Sequence, residues 1–213
     1  MPAKIPDTIW LYRITHRENL PHILQYGICN KDHPEANPHF VSIGNHDIIA
    51  TRKDRRVKIK GYGNVGEYVP FYFAPKSIML NNILTGYGVT KERPEEIIFL
   101  IIDVPGAVNC KQLYFFSDGQ ANTRISEHYN DLKDLNKVDW EVVKSGDFSK
   151  SPNDNDRTRR YQAEFLIHEK IPVNCIKAIV VYNETCATFV KKKLATTGLI
   201  IPVYIKRSFY FNR

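Results

Sequence analysis

The pattern of apolar and polar positions predicts a sheet made of two kinds of strand. Residues 8–15 (TIWLYRIT) alternate and are rich in aromatic and β-branched side chains, as in a half-buried strand. Residues 96–104 (EIIFLIIDV) are almost continuously apolar, which indicates a central, fully buried strand. Within 68–73 (YVPFYF), Pro70 has no N–H for a sheet ladder, so we expect this strand at a sheet edge or Pro70 at its start. The same criteria predict shorter strands at 113–116, 164–168, 178–182 and 200–205.

Apolar residues three or four positions apart predict helices between these strands. The first helix runs over 17–26, and Gly27 is suited to end it. Asn45 can cap a second helix (HDIIATRK), which would turn Ile48 and Ile49 inward. Further helices are predicted at 76–84 and 184–195, with helical pieces in 131–143.

The irregular order of strands and helices is typical of an α+β fold. No repeat or low-complexity segment marks a boundary, so we expect one domain over residues 1–213. The polar stretch 145–158 (SGDFSKSPNDNDRT) predicts a loop, and loops of this length inside a compact domain are often functional.

Composition narrows the class of protein. The chain has 213 residues, 43% of them hydrophobic, with 12 Tyr and 11 Phe, which excludes a disordered tail. No apolar run approaches the roughly 20 residues of a membrane span, and the N-terminal segment lacks the apolar stretch of a signal peptide. The four cysteines lie far apart without a CxxC pair, so we expect neither a zinc nor a disulfide framework and expect a reducing cytoplasm.

Positive charge is concentrated in three places along the chain, whose formal net charge is +7. Residues 52–60 (RKDRRVKIK) contain six basic residues and one acidic residue. Two shorter clusters are formed by Arg157, Arg159 and Arg160 and by residues 191–193. A concentrated basic surface favours a polyanionic partner such as nucleic acid, and a merely solubilising surface is the alternative.

Two residues have the chemistry of a catalytic site. Glu164 begins an apolar strand beside Arg159 and Arg160, where it is either a catalytic acid or base or a surface ion-pair partner. Arg52 ends the predicted second helix, where it either satisfies the helix carbonyls or clamps a pyrophosphate through paired hydrogen bonds. Residues 61–66 spell GxGxxG without the buried strand that a dinucleotide fold requires. None of the seven histidines has metal-ligand spacing, so no metal site is expected.

Several segments of the chain carry a family resemblance. They are 9–24 (IWLYRITHRENLPHIL), 43–52, 68–75 (YVPFYFAP) with Met79 and Leu80, and 160–166 (RYQAEFL). In order and spacing they resemble DarT-type toxins, which are bacterial ADP-ribosyltransferases that modify DNA. The resemblance spans nearly the whole chain.

This resemblance implies a fold and a reaction. The fold is the α+β ADP-ribosyltransferase-like module, with a central split β-sheet cleft that is flanked by helices and holds NAD. The reaction breaks the nicotinamide–ribose bond of NAD and attaches ADP-ribose to a base in single-stranded DNA, releasing nicotinamide. Thymidine is the favoured target, and guanosine is the target of a second branch. The implied partner is a macrodomain antitoxin that removes the modification.

The resemblance also implies which residues contact NAD. Arg13, Ile14 and Thr15 match the first-strand segment that contacts the dinucleotide. His22 on the following helix and Asn30 in the loop after it match further NAD contacts.

Catalytic roles follow from the same match. Arg52 matches an arginine with NAD contact and a catalytic role, and Glu164 matches the catalytic glutamate. Residues 34–52 match the element that closes over the dinucleotide, and residues 118–164 match the loop that presents the target base. The chain departs from the family at Gln120, where a histidine is common, and glutamine cannot become a cation at neutral pH.

Elementary chemistry divides the work between the two catalytic candidates. Loss of nicotinamide gives an oxocarbenium-like sugar, whose positive charge a carboxylate such as Glu164 stabilises. The thymine ring nitrogen must lose a proton as it bonds, and arginine is a very poor base because it stays protonated up to about pH 12. We therefore expect Glu164 to accept the proton and Arg52 to assist electrostatically.

Charge and aromatic residues suggest where the DNA strand lies. Basic grooves hold a single strand and aromatic faces stack its bases, which makes Arg157, Arg159, Arg160 and Tyr161 the candidate DNA contacts. Two alternatives stay open: a non-catalytic nucleic-acid-binding domain with the same shell, and an ADP-ribosyltransferase that acts on guanosine, RNA or protein.

Overall fold

The computed structural model describes residues 4–149 and 152–211, and it shows an eight-stranded sheet with helices packed against it. The strands are β1 (Trp10–His16), β2 (Ile28–Cys29), β3 (Tyr68–Tyr72), β4 (Ile97–Asp103), β5 (Tyr114–Ser117), β6 (His128–Tyr129), β7 (Glu164–His168), β8 (Lys170–Ile171), β9 (Ala178–Val181) and β10 (Val203–Ile205). The α-helices are α1 (Leu20–Tyr26), α2 (His46–Asp54), α3 (Ile78–Thr85), α4 (Val104–Asn109), α5 (Trp140–Ser145), α6 (Arg157–Tyr161) and α7 (Glu184–Ala195). Short 3-10 helices lie at Arg17–Asn19, Val65–Glu67, Pro94–Glu96, Leu132–Lys137, Val173–Cys175 and Arg207–Phe209.

The large sheet is split near its middle. Its strand order is β10-β9-β4-β1-β3-β7-β5-β6, and β2 and β8 form a separate small pair. Strand β1 pairs with β4 along its whole length, but it pairs with β3 only where Tyr12 faces Tyr72. Beyond that single pair the two strands diverge, so the sheet consists of two halves with an opening between them.

Strand β3 is central, so the expected edge position of this strand is wrong. Its C=O at Pro70 accepts a hydrogen bond from Arg13 Nη1 at 3.0 Å, across the opening to β1. The N–H and C=O of a strand residue point to the same side. The missing N–H of Pro70 therefore faces the opening, where β1 offers no ladder partner, and a central proline is tolerated.

The two faces of the sheet are covered differently. Because side chains alternate along a strand, Leu11, Phe71 and Phe165 share one face and belong to one large apolar core that spans both halves and packs against α1, α5 and α7. On the other face the apolar residues form two separate clusters. Leu80 of α3 belongs to the one beside β1, β4 and β9, and Leu166 to the one beside β5 and β7. Between these two clusters lies the opening of the sheet.

Three strand ends meet at one edge of the opening. In the antiparallel pairings, Tyr12 near the start of β1 faces Tyr72 at the end of β3, and Tyr72 faces Glu164 at the start of β7. The strand predicted at 164–168 is confirmed with its bounds. The fold thus places Glu164 at the edge of the opening.

Most predicted helices are confirmed, and one predicted orientation is wrong. Helix α7 has the predicted bounds, and the Asn45 side chain caps α2 by accepting from Ile48 N at 3.0 Å. However, no residue of α2 is buried, and Ile49 is 36% exposed, so Ile48 and Ile49 do not enter a core. The helix covers polar loops at the opening rather than an apolar face of the sheet, and polar contacts hold it there.

Gly27 ends α1 as predicted, and a close approach explains the glycine. Its φ is +85°, and a Cβ at this position would lie 2.3 Å from Ile171 O. A side chain would therefore push β8 away from β2. Within residues 4–149 and 152–211, no helix combines the length and apolarity that crossing a membrane requires.

Candidate active site

Glu164 and Arg52 form a close ion pair at the opening of the sheet. Arg52 Nη1 donates to Glu164 Oε2 at 2.9 Å and to Oε1 at 3.3 Å. The Glu164 side chain is 5% exposed and the Arg52 side chain 13%, so both charges are largely withdrawn from water. The backbone N–H of Ala121 donates to Glu164 Oε1 at 3.2 Å. These contacts hold the carboxylate in one orientation and leave it lone pairs for further hydrogen bonds.

This pairing bears on both alternatives that the sequence leaves open. The cation beside Glu164 is Arg52, which stands 112 residues earlier in the chain, whereas Arg159 and Arg160 bind other carboxylates. The Arg52 guanidinium turns to Glu164 rather than to the carbonyls that end α2. The two residues thus lie together at one largely buried site, and their catalytic roles stay predictions.

A close backbone approach fixes the end of α2 that carries Arg52. A Cβ on Gly66 would lie 2.7 Å from Lys53 Cα and 3.0 Å from Arg52 O, so only glycine lets the two segments pack this tightly. Asn30 Nδ2 donates to Gly66 O at 2.8 Å from the other side. The last glycine of the GxGxxG pattern therefore has a structural explanation: it lets residues 52 and 53 pack closely and so helps to position Arg52.

Two hydrogen bonds tie the region around α2 to the loop over residues 117–128, which covers Glu164. Asn122 Nδ2 donates to Thr51 Oγ1 at 2.7 Å, and Arg55 Nη2 donates to Thr123 O at 2.9 Å. Arg52 and the Ala121 N–H are thus positioned together around one carboxylate.

The 117–128 loop is rigidified by its own polar groups. Gln120 O accepts from Thr123 Oγ1 at 2.9 Å and from Ser126 Oγ at 2.8 Å, and Gln120 N donates to Arg159 O at 3.0 Å. The backbone at Gln120, where the resemblance leads us to expect a histidine, is therefore fully engaged in holding the loop.

His128 supports the same loop as a neutral ring. Its Nδ1 accepts from Lys58 N at 3.0 Å, so Nε2 carries the proton and donates to Ala121 O at 3.1 Å. Burial lowers the pKa of His128, and the hydrogen bond to Ala121 offsets part of this. Protonation would place a second N–H against Lys58 N and break the first contact.

We expect His128 to make the protein less stable in mild acid. The pKa of His128 is lower in the folded than in the unfolded state. Above about pH 6.5 the ring is neutral in both states, so it does not reduce the free energy of unfolding. That free energy decreases as the pH falls from there towards the folded pKa. Each unit of pH between the two pKa values costs up to about 1.4 kcal/mol. Urea unfolding at pH 7.5 and pH 5 should therefore show a smaller loss for His128→Gln than for the wild type. Equal losses would show that His128 does not carry this dependence.

Tyr12, Tyr72 and Arg13 line the opening next to the ion pair. Burial, and then the charge of Glu164, raise the pKa of Tyr72 to about 12, so its phenol is neutral at physiological pH. Burial lowers the pKa of Arg13 to about 10, which leaves it charged, and the repulsion of Arg52 acts in the same direction. Tyr72 was not predicted from the sequence, although its place in the YVPFYFAP segment could have indicated it.

The residues predicted to contact NAD lie on β1, α1 and the following loop. Arg13, Thr15 and His22 line a narrow crevice between β1 and α1. Ile14 instead points into the core of the opposite face, so its side chain is not available to a ligand. Asn30 uses its amide nitrogen on Gly66 O, as described above, and its Oδ1 accepts from Asp32 N at 3.1 Å, so it shapes the loop.

The predicted DNA contact Arg159 is held by acidic residues. Its Nε and Nη2 donate to the two oxygens of Asp156, each at 2.7 Å, and its Nη1 donates to Asp118 at 2.9 Å. The hydrogen bonds to Asp156 raise the pKa of Arg159. This side chain therefore fastens α6 to the 117–128 loop.

The two neighbouring arginines are engaged in the same way. Arg157 Nη2 lies 3.0 Å from Asp147 Oδ2, and Arg160 bridges Asp139 and Asp154. The charge of the cluster is thus balanced by aspartates that lie around the long loop, of which Lys150 and Ser151 fall outside the described residues.

The predicted stacking residue Tyr161 is buried. It is 5% exposed, and its hydroxyl donates to Lys76 O. In this conformation the ring has no free face for a base, and it joins α6 to the segment after β3.

One group of potential metal ligands comes together in the part of the chain that the structure describes. One ligand atom each of Cys29, His33 and Glu35 lies within 4.8 Å of the others. His33 Nδ1 already accepts from Glu35 N at 3.1 Å, and the Glu35 carboxylate pairs with Lys170. The Cys29 thiol lies 3.8 Å from Tyr26 O, so each of the three side chains has a partner in the fold.

Comparisons with known proteins agree with this architecture. The family model described as ssDNA thymidine ADP-ribosyltransferase, DarT, matches residues 12–211. The DNA ADP-ribosyl transferase of Escherichia coli O127:H6 is 32% identical over 209 residues, which are 97% of this chain and 95% of that protein. The DNA ADP-ribosyl transferase–DNA ADP-ribosyl glycohydrolase fusion protein of Thermosipho africanus is 26% identical over 210 residues, covering 94% of this chain and 49% of the fusion.

Solved structures of DarT from Thermus sp. 2.9 are also similar. The complex with ADP-ribosylated ssDNA has a TM-score of 0.90 and 26% identity, and covers 99% of this chain and 100% of that one. The complex with NAD+ has a TM-score of 0.84 and 25% identity, with 98% and 100% covered. The predicted fold class is confirmed by this similarity.

Proposed function

The chain belongs to the DarT family of ssDNA thymidine ADP-ribosyltransferases, and from this premise we propose that Glu164 and Arg52 are the catalytic centre of an NAD-dependent enzyme that modifies thymidine. The observation that carries the proposal is the buried ion pair, which the Ala121 N–H completes at the opening of the sheet. The solved structures of Thermus DarT with NAD+ and with ADP-ribosylated ssDNA support NAD as the donor and single-stranded DNA as the acceptor.

Glu164 acts on both halves of the reaction. As the nicotinamide–ribose bond breaks, nicotinamide leaves with the bonding electrons and positive charge grows on the ribose, which the nearby carboxylate stabilises. The thymine ring nitrogen then bonds to the ribose carbon, and its proton passes to a carboxylate oxygen. The lone pairs that Arg52 and Ala121 leave free on Glu164 serve this second step.

Arg52 holds Glu164 and presents a second donor to the substrates. Its Nη2 is buried and has no hydrogen-bond partner in the described structure. A buried donor without a partner costs about 1–3 kcal/mol, so an acceptor oxygen on a bound substrate relieves this cost. The positive charge also favours a thymine that is losing its ring proton.

Arg13, Thr15 and His22 bind part of NAD in the crevice beside α1, and Ile14 and Asn30 support it from behind. Arg13 connects this crevice to the catalytic pair, because its guanidinium crosses the opening to Pro70 O at 3.0 Å. This division keeps the predicted NAD group and changes the role of two members from contact to support.

The setting of the activity follows from the family. The Thermosipho relative joins a DNA ADP-ribosyl transferase to a DNA ADP-ribosyl glycohydrolase, and we infer that a macrodomain antitoxin likewise reverses the modification made by this cytoplasmic toxin. Residues 1–213 form one catalytic domain in this proposal, because the large sheet takes strands from Trp10 to Ile205.

Labelled NAD and a panel of single-stranded oligonucleotides that differ at one base test the proposed function. We expect the adenylate label on thymidine-containing strands alone, with one nicotinamide released for each ADP-ribose attached. Label on guanosine-containing strands alone would show that the target base is guanosine rather than thymidine. Label on protein or RNA only would reject the proposal, and DNA binding without nicotinamide release would indicate a non-catalytic binder.

A further inference from the structure

A second cavity opens at the edge of the sheet where Glu164 lies. It has a volume of about 490 Å³ and is lined mainly by the first residues of β1, the segment after β3 and helix α5. Its wall includes the aromatic residues Trp10, Tyr12 and Phe73. We call it the Trp10 groove, and none of its residues belongs to the predicted NAD crevice.

The side chains of the Trp10 groove match the chemistry of a single-stranded nucleic acid. Of the described residues that line it, the charged ones are Lys76 and Lys144, and neither an aspartate nor a glutamate is among them. Trp10 is 41% exposed, which is unusual for so large an apolar side chain. Exposed aromatic faces stack bases of any sequence, and lysines beside them meet the phosphates.

The position of the groove relates it to the reaction. Tyr12 lines it and faces Tyr72, which in turn faces Glu164 in the sheet. Tyr161, three residues before Glu164, closes another side. The groove thus begins at the catalytic edge of the opening, whereas the NAD crevice lies further along β1 beside α1.

The arginines that the sequence offers for DNA do not compete with this site. Arg157, Arg159 and Arg160 are each paired with aspartates, so their charges are already balanced. Lys144 is exposed and forms no ion pair with the residues that the structure describes, so its ammonium is free to meet a phosphate.

We propose that the Trp10 groove holds a nucleotide that flanks the target base in the single-stranded DNA substrate. The base of this nucleotide stacks on Trp10, and its phosphates meet Lys76 and Lys144. The groove thereby sets the register that brings the target base to Glu164. The proposal rests on the proposed function and adds a positioning site to it.

Trp10→Ala should raise the KM for a thymidine oligonucleotide and its Kd about tenfold, with a smaller effect on kcat and no change in NAD affinity. Trp10→Phe should restore most of the binding, because it keeps an aromatic face. An oligonucleotide that lacks a base at one position beside the target should bind the wild type more weakly by a similar factor. That oligonucleotide should show no further loss with Trp10→Ala, because the stacking partner is already missing.

Lys144→Ala tests the phosphate contact through salt dependence. We expect the slope of log affinity against log salt concentration to flatten by about 0.7 for the lost contact. Lys191→Ala, which removes an exposed lysine on α7 away from the groove, is the matched control and should leave this slope unchanged.

The outcomes separate this proposal from the proposed function. If the wild type labels thymidine strands while Trp10→Ala and Lys144→Ala keep wild-type KM, Kd and salt slope, the groove does not hold DNA and the inference is wrong. If the wild type labels no DNA, the proposed function itself fails. Equal loss of binding for Trp10→Ala and Trp10→Phe, with unchanged NAD affinity, would also overturn the stacking role.

Discussion

We expect Glu164→Ala to abolish ADP-ribose transfer to DNA while NAD still binds. We expect a fall in kcat of at least about 10³-fold, because the variant loses both the charge that stabilises the ribose cation and the acceptor for the thymine proton. Single-turnover assays with labelled NAD measure the transfer, and titration of NAD measures the affinity. Full activity in this variant would remove Glu164 from the catalytic centre.

Glu164→Gln separates catalysis from folding. The alanine variant leaves the Arg52 guanidinium buried without its carboxylate, and an uncompensated buried charge is destabilising. Glutamine also removes the charge, but it keeps the size of the side chain and an oxygen that accepts from both Arg52 Nη1 and Ala121 N, so its melting temperature should fall less than that of the alanine variant. We expect it to be as inactive as the alanine variant, since it carries no negative charge.

We expect Arg52→Ala to lower kcat about 10²-fold and to weaken NAD binding as well. The variant removes the Nη1 hydrogen bonds that orient Glu164 and the Nη2 donor that waits for a substrate oxygen. The loss of one preorganised donor typically costs this much. Steady-state kinetics that separate kcat from the KM for NAD measure both effects.

Arg52→Lys is the informative companion to that variant. Lysine keeps the positive charge but not the planar fork that reaches Glu164 and a substrate together. We expect an activity between those of the wild type and Arg52→Ala. Wild-type turnover in Arg52→Ala would instead return this residue to the role of a helix-end cation.

The sequence predicts the elements best where pattern and caps agree. Helix α7 and strand β7 have the predicted bounds, and Asn45 caps α2 as expected. The proposed catalytic pair is indicated by the family resemblance of specific sequence segments rather than by periodicity. Hydrophobic spacing says nothing about which arginine meets Glu164, because Arg52 lies 112 positions away.

Polar surfaces were the least predictable part of the molecule. The arginine run predicts a DNA-binding surface, but the sequence does not show that these arginines pair with aspartates as distant as Asp118, which is 41 residues from Arg159. Ala121 acts through its backbone N–H, which no side-chain pattern reveals. Two isoleucines predict a buried face for helix α2, whereas hydrogen bonds of Thr51 and Arg55 with the 117–128 loop hold the helix at the surface.

Pro70 helps to keep the sheet open because it lacks a backbone N–H. A residue with an N–H at this position could donate to β1. The pairing that begins at Tyr12 and Tyr72 could then extend along both strands. Proline removes that hydrogen bond, so closure in this register is disfavoured even when no ligand holds the two strands apart. Substrate binding therefore does not have to separate β1 from β3. The absence of one backbone N–H, that of Pro70, helps to keep the cleft open before the substrates enter.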